Sequence, residues 1–306
     1  MIFAVDSGGT KTKILLAEPN GTVVDTKTIQ GFGTASDPMD EPLPLLSDTL
    51  REMGKGYDVT HVTVNLGGKN TQQVTNCIRR VFADANIQVF RESSGVIGDH
   101  IRESVGADII FFTGTGSITL ASGDNGRFVL DGWGKDIGDF GSGYYIGATA
   151  IQQSLIELEG EEPLSMLAKA VTGEAEPFAL TDDYDVVMKK RDAVRSVIMP
   201  LERAKVAAIT KVVYDCAAKG DEAAKRIFSI VGEKLGETAV RAAKKIQKTE
   251  PVTIAFCGGV AETKEFWLAA FERKIREMNV DGTVIFPKTD FAFGTLEYTI
   301  KEGLKK

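Results

Sequence analysis

The sequence has few of the side chains that crosslink chains or hold metal ions. Its 306 residues include three cysteines, Cys77, Cys216 and Cys257, which are far apart and form no C-x-x-C pair. A sparse, odd number of cysteines favours reduced thiols in a cytoplasmic protein over a disulfide framework, a zinc site or an iron–sulfur cluster. The two histidines, His61 and His100, have no second candidate ligand near them in the sequence. We therefore expect neither a histidine metal site nor a histidine-based triad.

Long apolar runs and an excess of positive charge are also missing. No stretch approaches the roughly 20 consecutive apolar residues that span a bilayer, and the first residues enter a predicted strand instead of a basic leader. The 36 basic and 43 acidic side chains give a net charge of −7, which disfavours nucleic acid or an anionic membrane as partner. We expect a cytoplasmic protein with neither partner. Its length of 306 residues favours two domains, because single cores stop growing at roughly 250–300 residues.

The beginning of the chain combines a carboxylate with a glycine turn. The apolar run 2–5 predicts a buried strand, Asp6 follows it, and the run 13–17 predicts a returning strand. Outward N–H groups, hydroxyls and a lysine suit phosphate, and Asp6 suits a hydrated Mg²⁺ ion. The turn residues that we assign to phosphate are Gly8, Gly9, Thr10, Lys11 and Thr12. An ordinary hairpin with a solvated aspartate is the alternative.

A second turn of glycine and threonine opens the second half of the chain. The run 109–112 predicts a buried strand and the run 118–122 its hairpin partner, so the order of elements repeats that of the first half. The turn residues that we assign to phosphate are Gly114, Thr115, Gly116 and Ser117. The repeat predicts a duplicated α/β domain with a cleft between the copies. A hairpin turn without a ligand is the alternative.

Two further glycine-rich stretches suit a ligand. Gly258 and Gly259 follow the predicted strand 252–257 and allow a group such as an adenosine to approach the backbone, although a strand-to-helix turn needs a glycine anyway. The segment 131–147 holds six glycines, three carboxylates and a tryptophan in seventeen residues. Carboxylates accept hydrogen bonds from sugar hydroxyls and an indole offers an apolar face, so this segment predicts a site for a hydroxyl-rich ligand. A tight surface loop is the alternative.

Apolar periodicity predicts long helices between these turns. Helical spacing predicts helices over 72–86 and 144–158, a mostly helical region over 164–246 and a last helix over 294–304. Short strands alternate with helices in the first half, which is typical of an α/β fold.

The motifs resemble those of one known family. Four of them follow the order seen in the BadF/BadG/BcrA/BcrD-type ATPases: Asp6-x-Gly-Gly-Thr10, Thr113-Gly-Thr-Gly-Ser117, Gly132-Trp-Gly-x-x-x-Gly-Asp-x-Gly-Ser-Gly-Tyr-x-Ile-Gly147 and Gly258-Gly-Val260. The chain resembles the N-acetylglucosamine kinase branch of that family, within the actin, Hsp70 and sugar kinase superfamily. The resemblance implies two ribonuclease H-like (actin-like ATPase) domains, with mixed five-stranded sheets flanked by helices and an interdomain cleft. It implies an N-terminal domain of residues 1–107 plus 293–306 and a C-terminal domain of residues 108–292 with a helical insertion.

The resemblance also implies ATP and Mg²⁺ as cofactors and roles for individual residues. Thr10 and Thr115 would contact the phosphates of ATP, and Asp6 would hold Mg²⁺ through water. The residues that match sugar-binding positions of the kinases are Gly132, Trp133, Gly134 and Asp139. Glu92 matches the family's catalytic aspartate and would accept the proton of the attacking hydroxyl. The alternative for Glu92 is a solvated carboxylate at a helix N-terminus.

Three departures from the family lie on the substrate side. Glu92 replaces an aspartate and lengthens the base by a methylene. The loop 31–37 lacks the sugar-binding asparagine of the kinases, and Ser36 is our candidate for a substrate contact there. Phe140 stands where the family motif has a second acidic residue. The sequence therefore predicts a homodimeric enzyme that transfers phosphate from ATP to a sugar or amino sugar, with an acceptor altered from N-acetylglucosamine.

Two other functions stay open on the sequence. The other branch of the family comprises ATPase activators that drive electrons into a dehydratase or reductase and hold an iron–sulfur cluster through cysteines at a dimer interface. The cysteines of this chain fall in predicted helices or a buried strand and not in a glycine loop, which disfavours that function. The third possibility is an ATP-binding sensor that transfers no phosphate, which the changes at Glu92 and Ser36 keep open.

Overall fold

The structure, a computed structural model, describes residues 1–32, 42–160, 163–173, 175–179, 181–248 and 250–305. The chain divides into two compact units, Met1–Ala107 with Pro287–Lys306 and Asp108–Phe286. The sequence predicts the return to the first domain at residue 293, whereas the observed division places it at Pro287. The return comes earlier because the last helix, which packs on the first unit's sheet, begins before residue 293.

The first unit is built on a mixed five-stranded sheet. Its strands are β1 (Ile2–Ser7), β2 (Lys11–Ala17), β3 (Val23–Gln30), β4 (His61–Leu66) and β5 (Asn86–Arg91). Their order in the sheet is β3-β2-β1-β4-β5, with antiparallel pairing among β1, β2 and β3 and parallel pairing among β1, β4 and β5. The central strand β1 is buried from Ile2 to Val5, as its apolar run predicts. Asp6 is thereby placed at the carboxyl end of the central strand.

Helices follow β3, β4 and β5 in the first unit. They are α1 (Pro42–Met53), α2 (Thr71–Arg79) and α3 (Val96–Ser104). A 3₁₀ turn over Glu92–Ser94 separates β5 from α3.

The helix predicted over 72–86 is too long, because α2 ends at Arg79. Val81 and Phe82 continue the helical spacing of the sequence, yet they lie in a turn where both backbone N–H groups donate to the Ile78 carbonyl. Their side chains still pack against the first unit's core. The apolar spacing of the sequence therefore continues beyond the end of α2, because Val81 and Phe82 still contact the core.

The second unit repeats the sheet of the first. Its strands are β6 (Ile109–Thr113), β7 (Ser117–Gly123), β8 (Gly126–Leu130), β9 (Val252–Cys257) and β10 (Gly282–Ile285). Their order is β8-β7-β6-β9-β10, which matches the first sheet strand for strand. The first three pair antiparallel, and β6, β9 and β10 pair parallel. The predicted fold of two α/β domains with mixed five-stranded sheets is confirmed.

Helices of the second unit lie between its strands. They are α4 (Gly143–Leu158), α5 (Met166–Thr172), α6 (Tyr184–Ile198), α7 (Arg203–Ala218), α8 (Glu222–Ile246) and α9 (Lys264–Glu277). The mostly helical region predicted over 164–246 is confirmed, as is the predicted helix over 144–158. α8 packs against α9, and both contribute to one core, with Phe228 and Trp267 fully buried. Within the described ranges no helix is both long enough and apolar enough to cross a membrane.

The last helix, α10 (Phe291–Tyr298), packs against β1 in the first unit. It begins earlier than the predicted residue 294 because the carboxylate of Asp290 accepts a hydrogen bond from the Phe293 N–H and caps the first turn. It ends in one π-helical turn over Thr299–Gly303, so the predicted helix over 294–304 is correct in type but displaced at its start.

Candidate functional site

The carboxylate of Asp6 has one neutral partner on the neighbouring strand. In the parallel pairing of β1 with β4, Asn65 is the register partner of Asp6. Asn65 is buried, and its side-chain N–H donates a hydrogen bond of 2.9 Å to Asp6 Oδ1. Burial raises the pKa of Asp6 to about 6, although the Asn65 hydrogen bond acts in the opposite direction. A carboxylate that is costly to ionise fits a divalent cation, which supplies the missing positive charge.

Two charged side chains beside this carboxylate were not predicted as site residues. Lys13 is the register partner of Asp6 across β1 and β2, and its Nζ lies 2.6 Å from Asp290 Oδ2. Beyond the effect of burial, the charge of Asp290 adds to the raised pKa of Asp6, and the charge of Lys13 opposes it. Lys13 and Asp290 are 277 residues apart in the chain, so no motif connects them.

The first glycine turn exposes some of its predicted phosphate ligands and buries one. Gly9, Thr10 and Lys11 are exposed between β1 and β2, and the Gly8 N–H donates to the Lys11 carbonyl. Thr12 is fully buried, and its hydroxyl lies 2.8 Å from that of Ser7. Thr12 is turned inward because alternate residues of a strand face opposite sides, and its phosphate contact stays a prediction.

The second glycine turn is tied to the start of α4 by its carbonyl groups. The Gly114 and Thr115 carbonyls accept hydrogen bonds from the N–H groups of Gly143 and Tyr144. The Ser117 hydroxyl donates to the Phe140 carbonyl at 3.0 Å, and the residue is buried. This bond holds the 131–147 segment against β7, and the phosphate contact of Ser117 stays a prediction.

Asp139 is also an internal anchor of the 131–147 segment. It is 3% exposed, its Oδ1 accepts from the Gly134 N–H at 3.1 Å, and its Oδ2 accepts from Arg203 at 2.9 Å. Burial raises the pKa of Asp139. Gly116 is required by this pair, because a Cβ there would lie 2.6 Å from the guanidinium and 2.9 Å from the carboxylate. These two bonds use part of the accepting capacity of the carboxylate, and the contact between Asp139 and a sugar stays a prediction.

The same segment presents an indole at the surface. Trp133 is 74% exposed, and the glycines on either side, Gly132 and Gly134, adopt φ values of +72° and +104°. Before the indole, the carboxylate of Asp131 accepts hydrogen bonds from Thr238 at 2.7 Å and from Arg241 at 3.2 Å. The loop is thus anchored on both sides of an exposed aromatic face, a geometry that suits stacking on a sugar ring.

The two glycines of the third turn differ in their surroundings. Gly258 adopts a φ of +104°, and a Cβ there would lie 2.5 Å from the Thr113 carbonyl of β6. Gly259 is exposed, and a Cβ there would have no neighbour within 4 Å. Gly258 is therefore required by strand packing, whereas Gly259 leaves room for a ligand.

Gly258→Ala is expected to destabilise the second unit by about 1–3 kcal/mol, because alanine resists the positive φ and its Cβ meets the Thr113 carbonyl. Urea denaturation measures the difference. Gly259→Ala is the matched control and is expected to keep native stability, because nothing surrounds the added methyl group. A Gly258→Ala protein that unfolds at the native urea concentration would contradict the packing role of Gly258.

Glu92 begins the 3₁₀ turn that follows β5 and is half-buried. The turn ends at Gly95, whose φ of +71° allows the chain to enter α3 directly. The structure therefore places Glu92 at the carboxyl end of a strand parallel to β1, which is where the sequence predicts a catalytic carboxylate. Ser36 lies outside the described residues.

The cysteines occupy interior positions. Cys77 lies in α2, Cys216 in α7 and Cys257 in β9, and all three are buried. In the part of the chain that the structure describes, no three His, Cys, Asp or Glu side chains are grouped to hold a metal ion.

Comparison with known proteins finds kinases related over nearly the full length. The chain is 23% identical to the N-acetylmuramic acid/N-acetylglucosamine kinase of Clostridium acetobutylicum over 310 positions, covering 96% of each protein. It is 23% identical to the N-acetyl-D-glucosamine kinase of Dictyostelium discoideum over 323 positions, also covering 96% of each. A solved structure from Porphyromonas gingivalis, of a protein proposed to be an N-acetylglucosamine kinase, matches with a TM-score of 0.70 and 20% identity. That match covers 99% of this chain and 100% of the other.

The sequence profile of one family extends over almost the whole chain. The profile of the BadF/BadG/BcrA/BcrD ATPases matches residues 4–298, a range that includes both glycine turns and all but the first two residues of the two sheets. The solved structure from Porphyromonas gingivalis shares the fold of this chain. The chain therefore belongs to the BadF/BadG/BcrA/BcrD ATPase family.

Proposed function

We propose that this protein is an ATP-dependent kinase that transfers the γ-phosphate to a hydroxyl group of a sugar or amino sugar. The observation that carries the proposal is the repeated glycine turn: one joins β1 to β2 after Asp6, and the other joins β6 to β7 at the equivalent place in the second sheet. Full-length relatives named as amino-sugar kinases support it.

The nucleotide contacts come from the exposed parts of these turns. The exposed backbone at Gly9 and Gly114, with the hydroxyls of Thr10 and Thr115, suits the phosphates, and Gly259 leaves room for the nucleoside. Asp6 would hold Mg²⁺ in this proposal, and its half-buried position at the carboxyl end of β1 supports that role. When bound, Mg²⁺ neutralises negative charge on the phosphate oxygens.

Glu92 acts as the general base in the proposed reaction. It accepts the proton of the acceptor hydroxyl while that oxygen bonds to the γ-phosphorus and the bond from the γ-phosphorus to ADP breaks. Its position after β5 supports the role, because ligands of open α/β sheets bind at the carboxyl ends of the strands.

The acceptor differs from N-acetylglucosamine in this proposal. Glu92 is longer than the family's aspartate, Phe140 replaces an acidic residue, and Asp139 is already committed to Arg203. Each change alters polar groups that would recognise the acceptor, whereas the nucleotide motifs are intact. We also expect a cytoplasmic homodimer, and light scattering measures its mass in solution. The net charge of −7 disfavours nucleic acid and anionic membranes as partners.

A panel of sugars, amino sugars and related polyols tests the proposed function. The purified protein is incubated with ATP and Mg²⁺, and ADP release is compared with a blank that lacks an acceptor. We expect one chemical group of acceptors to raise ADP release well above the blank and to yield a phosphorylated product by mass spectrometry. An unresponsive panel with slow basal hydrolysis would favour an ATPase or a sensor instead.

Trp133→Ala is expected to raise the KM for the acceptor about 10-fold through lost stacking, with kcat and the KM for ATP unchanged. Stability should stay native, because the indole is 74% exposed. Steady-state kinetics and thermal unfolding measure these quantities. Tyr184→Ala is a matched control, since Tyr184 is an aromatic residue exposed to 75% on α6. Equal KM values of the two variants for the acceptor would show that Trp133 does not contact the acceptor.

A further inference from the structure

Lys13 and Asp6 are neighbours whose charges do not pair directly in the described contacts. The two residues face each other in the register of β1 and β2, where opposite charges normally attract. The Lys13 ammonium instead lies 2.6 Å from Asp290 Oδ2. The carboxylate of Asp6 accepts its hydrogen bond from the neutral amide of Asn65. An uncharged donor orients the carboxylate without neutralising it.

The Asp290 side chain is held in place to receive Lys13. Its Oδ1 accepts from the Phe293 N–H at 2.9 Å as the cap of α10, which leaves Oδ2 for the ammonium. The Phe293 ring lies under the same ammonium, with its centre 4.5 Å from Nζ. Lys13 is thus fixed on two sides, by the N-cap residue of α10 and by a residue of its first turn.

A lysine that turned to Asp6 would compete with a metal ion. An ammonium and a divalent cation both seek the same carboxylate oxygens, and an ion pair at Asp6 would have to be broken before the cation could bind. The Asp290 carboxylate removes this competitor from Asp6 while keeping the positive charge of Lys13 in the neighbourhood.

We infer that Asp290 is a positioning residue of the metal site: by holding the Lys13 ammonium away from Asp6, it keeps the Asp6 carboxylate available to a divalent cation. This role rests on the proposed use of ATP with Mg²⁺. It differs from a direct metal contact of Asp290 and from a simple clamp of α10 on the hairpin, and the two alternatives give different results below.

The test measures Mn²⁺ binding in the presence of ADP by electron paramagnetic resonance, without any turnover. Mn²⁺ reports on the site because it accepts the same oxygen ligands as Mg²⁺. Asp290→Asn is expected to weaken Mn²⁺ binding about 10-fold, because the freed Lys13 turns to Asp6. Asparagine is as good a helix cap as aspartate, so α10 should stay folded, and thermal unfolding checks this.

The double variant Lys13→Met with Asp290→Asn carries the decisive comparison. Removing the competitor is expected to restore Mn²⁺ binding to within about 3-fold of the native value. Asp182→Asn is the control, because Asp182 pairs with Lys190 at the same 2.6 Å and also accepts from a backbone N–H in the second unit. It should bind Mn²⁺ like the native protein.

Two results would overturn the inference, and a third would overturn the proposed function. Native Mn²⁺ affinity in Asp290→Asn would show that the Asp290 carboxylate is not needed, as a simple clamp predicts. A double variant as weak as Asp290→Asn would mean that the carboxylate acts directly on the metal and not through Lys13. A native protein that binds neither ADP nor Mn²⁺ would overturn the proposed function, which is a separate and recognisable failure.

Discussion

Glu92→Gln is expected to lower kcat for phosphate transfer by about 10²–10⁴-fold, because an amide cannot accept the proton of the acceptor hydroxyl. ADP affinity should stay native, since the nucleotide contacts are assigned to the glycine turns. Glutamine keeps the size of glutamate, so the 3₁₀ turn over Glu92–Ser94 should persist. Single-turnover kinetics and ADP titration measure the two quantities separately.

The same variant separates a kinase from a sensor. A sensor that uses nucleotide binding without phosphate transfer would lose little on the change from Glu92 to Gln. Glu52→Gln is the matched control, because Glu52 belongs to the same unit and is an exposed partner of Lys27 on α1. Both variants should unfold at the native temperature. Equal turnover in the two variants would show that Glu92 is not the general base.

Asp6→Asn is expected to abolish metal-dependent turnover and at the same time to stabilise the metal-free protein at neutral pH. The pKa of Asp6 is raised from 3.8 to about 6, so the ionised carboxylate destabilises the folded state by up to about 3 kcal/mol. Asparagine can still accept the Asn65 hydrogen bond and carries no charge. Urea denaturation with a chelator present measures the gain.

The stabilisation by Asp6→Asn has a defined pH dependence. Between pH 3.8 and about 6 the folded chain keeps a proton on Asp6 that the unfolded chain has released, so native stability falls as pH rises through this window. The gain from Asp6→Asn should therefore be small near pH 4 and reach its full size above about pH 6. Asp25→Asn is the control, because it removes a carboxylate from an exposed position on β3 in the same unit.

Metal binding is expected to stabilise the native protein, whereas the ionised Asp6 carboxylate destabilises the metal-free protein. The metal response therefore checks the assignment of Asp6 to the metal site. Mg²⁺ with ADP should raise the unfolding temperature of the native protein, because a ligand that binds the folded state stabilises it. The same ligands should raise the unfolding temperature of the Asp6→Asn protein much less. An Asp6→Asn protein that responds to Mg²⁺ like the native one, or that is less stable than native at neutral pH, would contradict both the metal role and the cost of burying Asp6.

Local sequence patterns predicted the elements that depend on residues close together in the chain. The apolar runs before Asp6 and before Thr113 became the central strands of two sheets with the same strand order. Helix boundaries were less predictable. Phe82 extends the apolar spacing of α2 beyond its end because it packs on the core from a turn. The start of α10 depends on the cap at Asp290, which apolar spacing does not report.

Predictions for the site divide in the same way. The carboxylates of Asp6 and Glu92 lie at strand ends, where the sequence places them. Thr12 and Ser117 were assigned to phosphate by residue type, but burial gives their hydroxyls internal partners. Asp139 was assigned to a sugar, but Arg203, 64 residues later, occupies its carboxylate. Residue type alone does not show which groups a side chain contacts in the folded chain.

The sequence by itself determined the family, the duplicated α/β architecture and the order of the glycine turns, because these depend on strand periodicity and on residues close together in the chain. Tertiary structure decided the partners of the charges. Asn65 meets Asp6, and Asp290 meets Lys13, only after strands and a helix distant in sequence are packed side by side. Electrostatic energy depends on distance in space, so the charge balance of the site exists only in the folded chain.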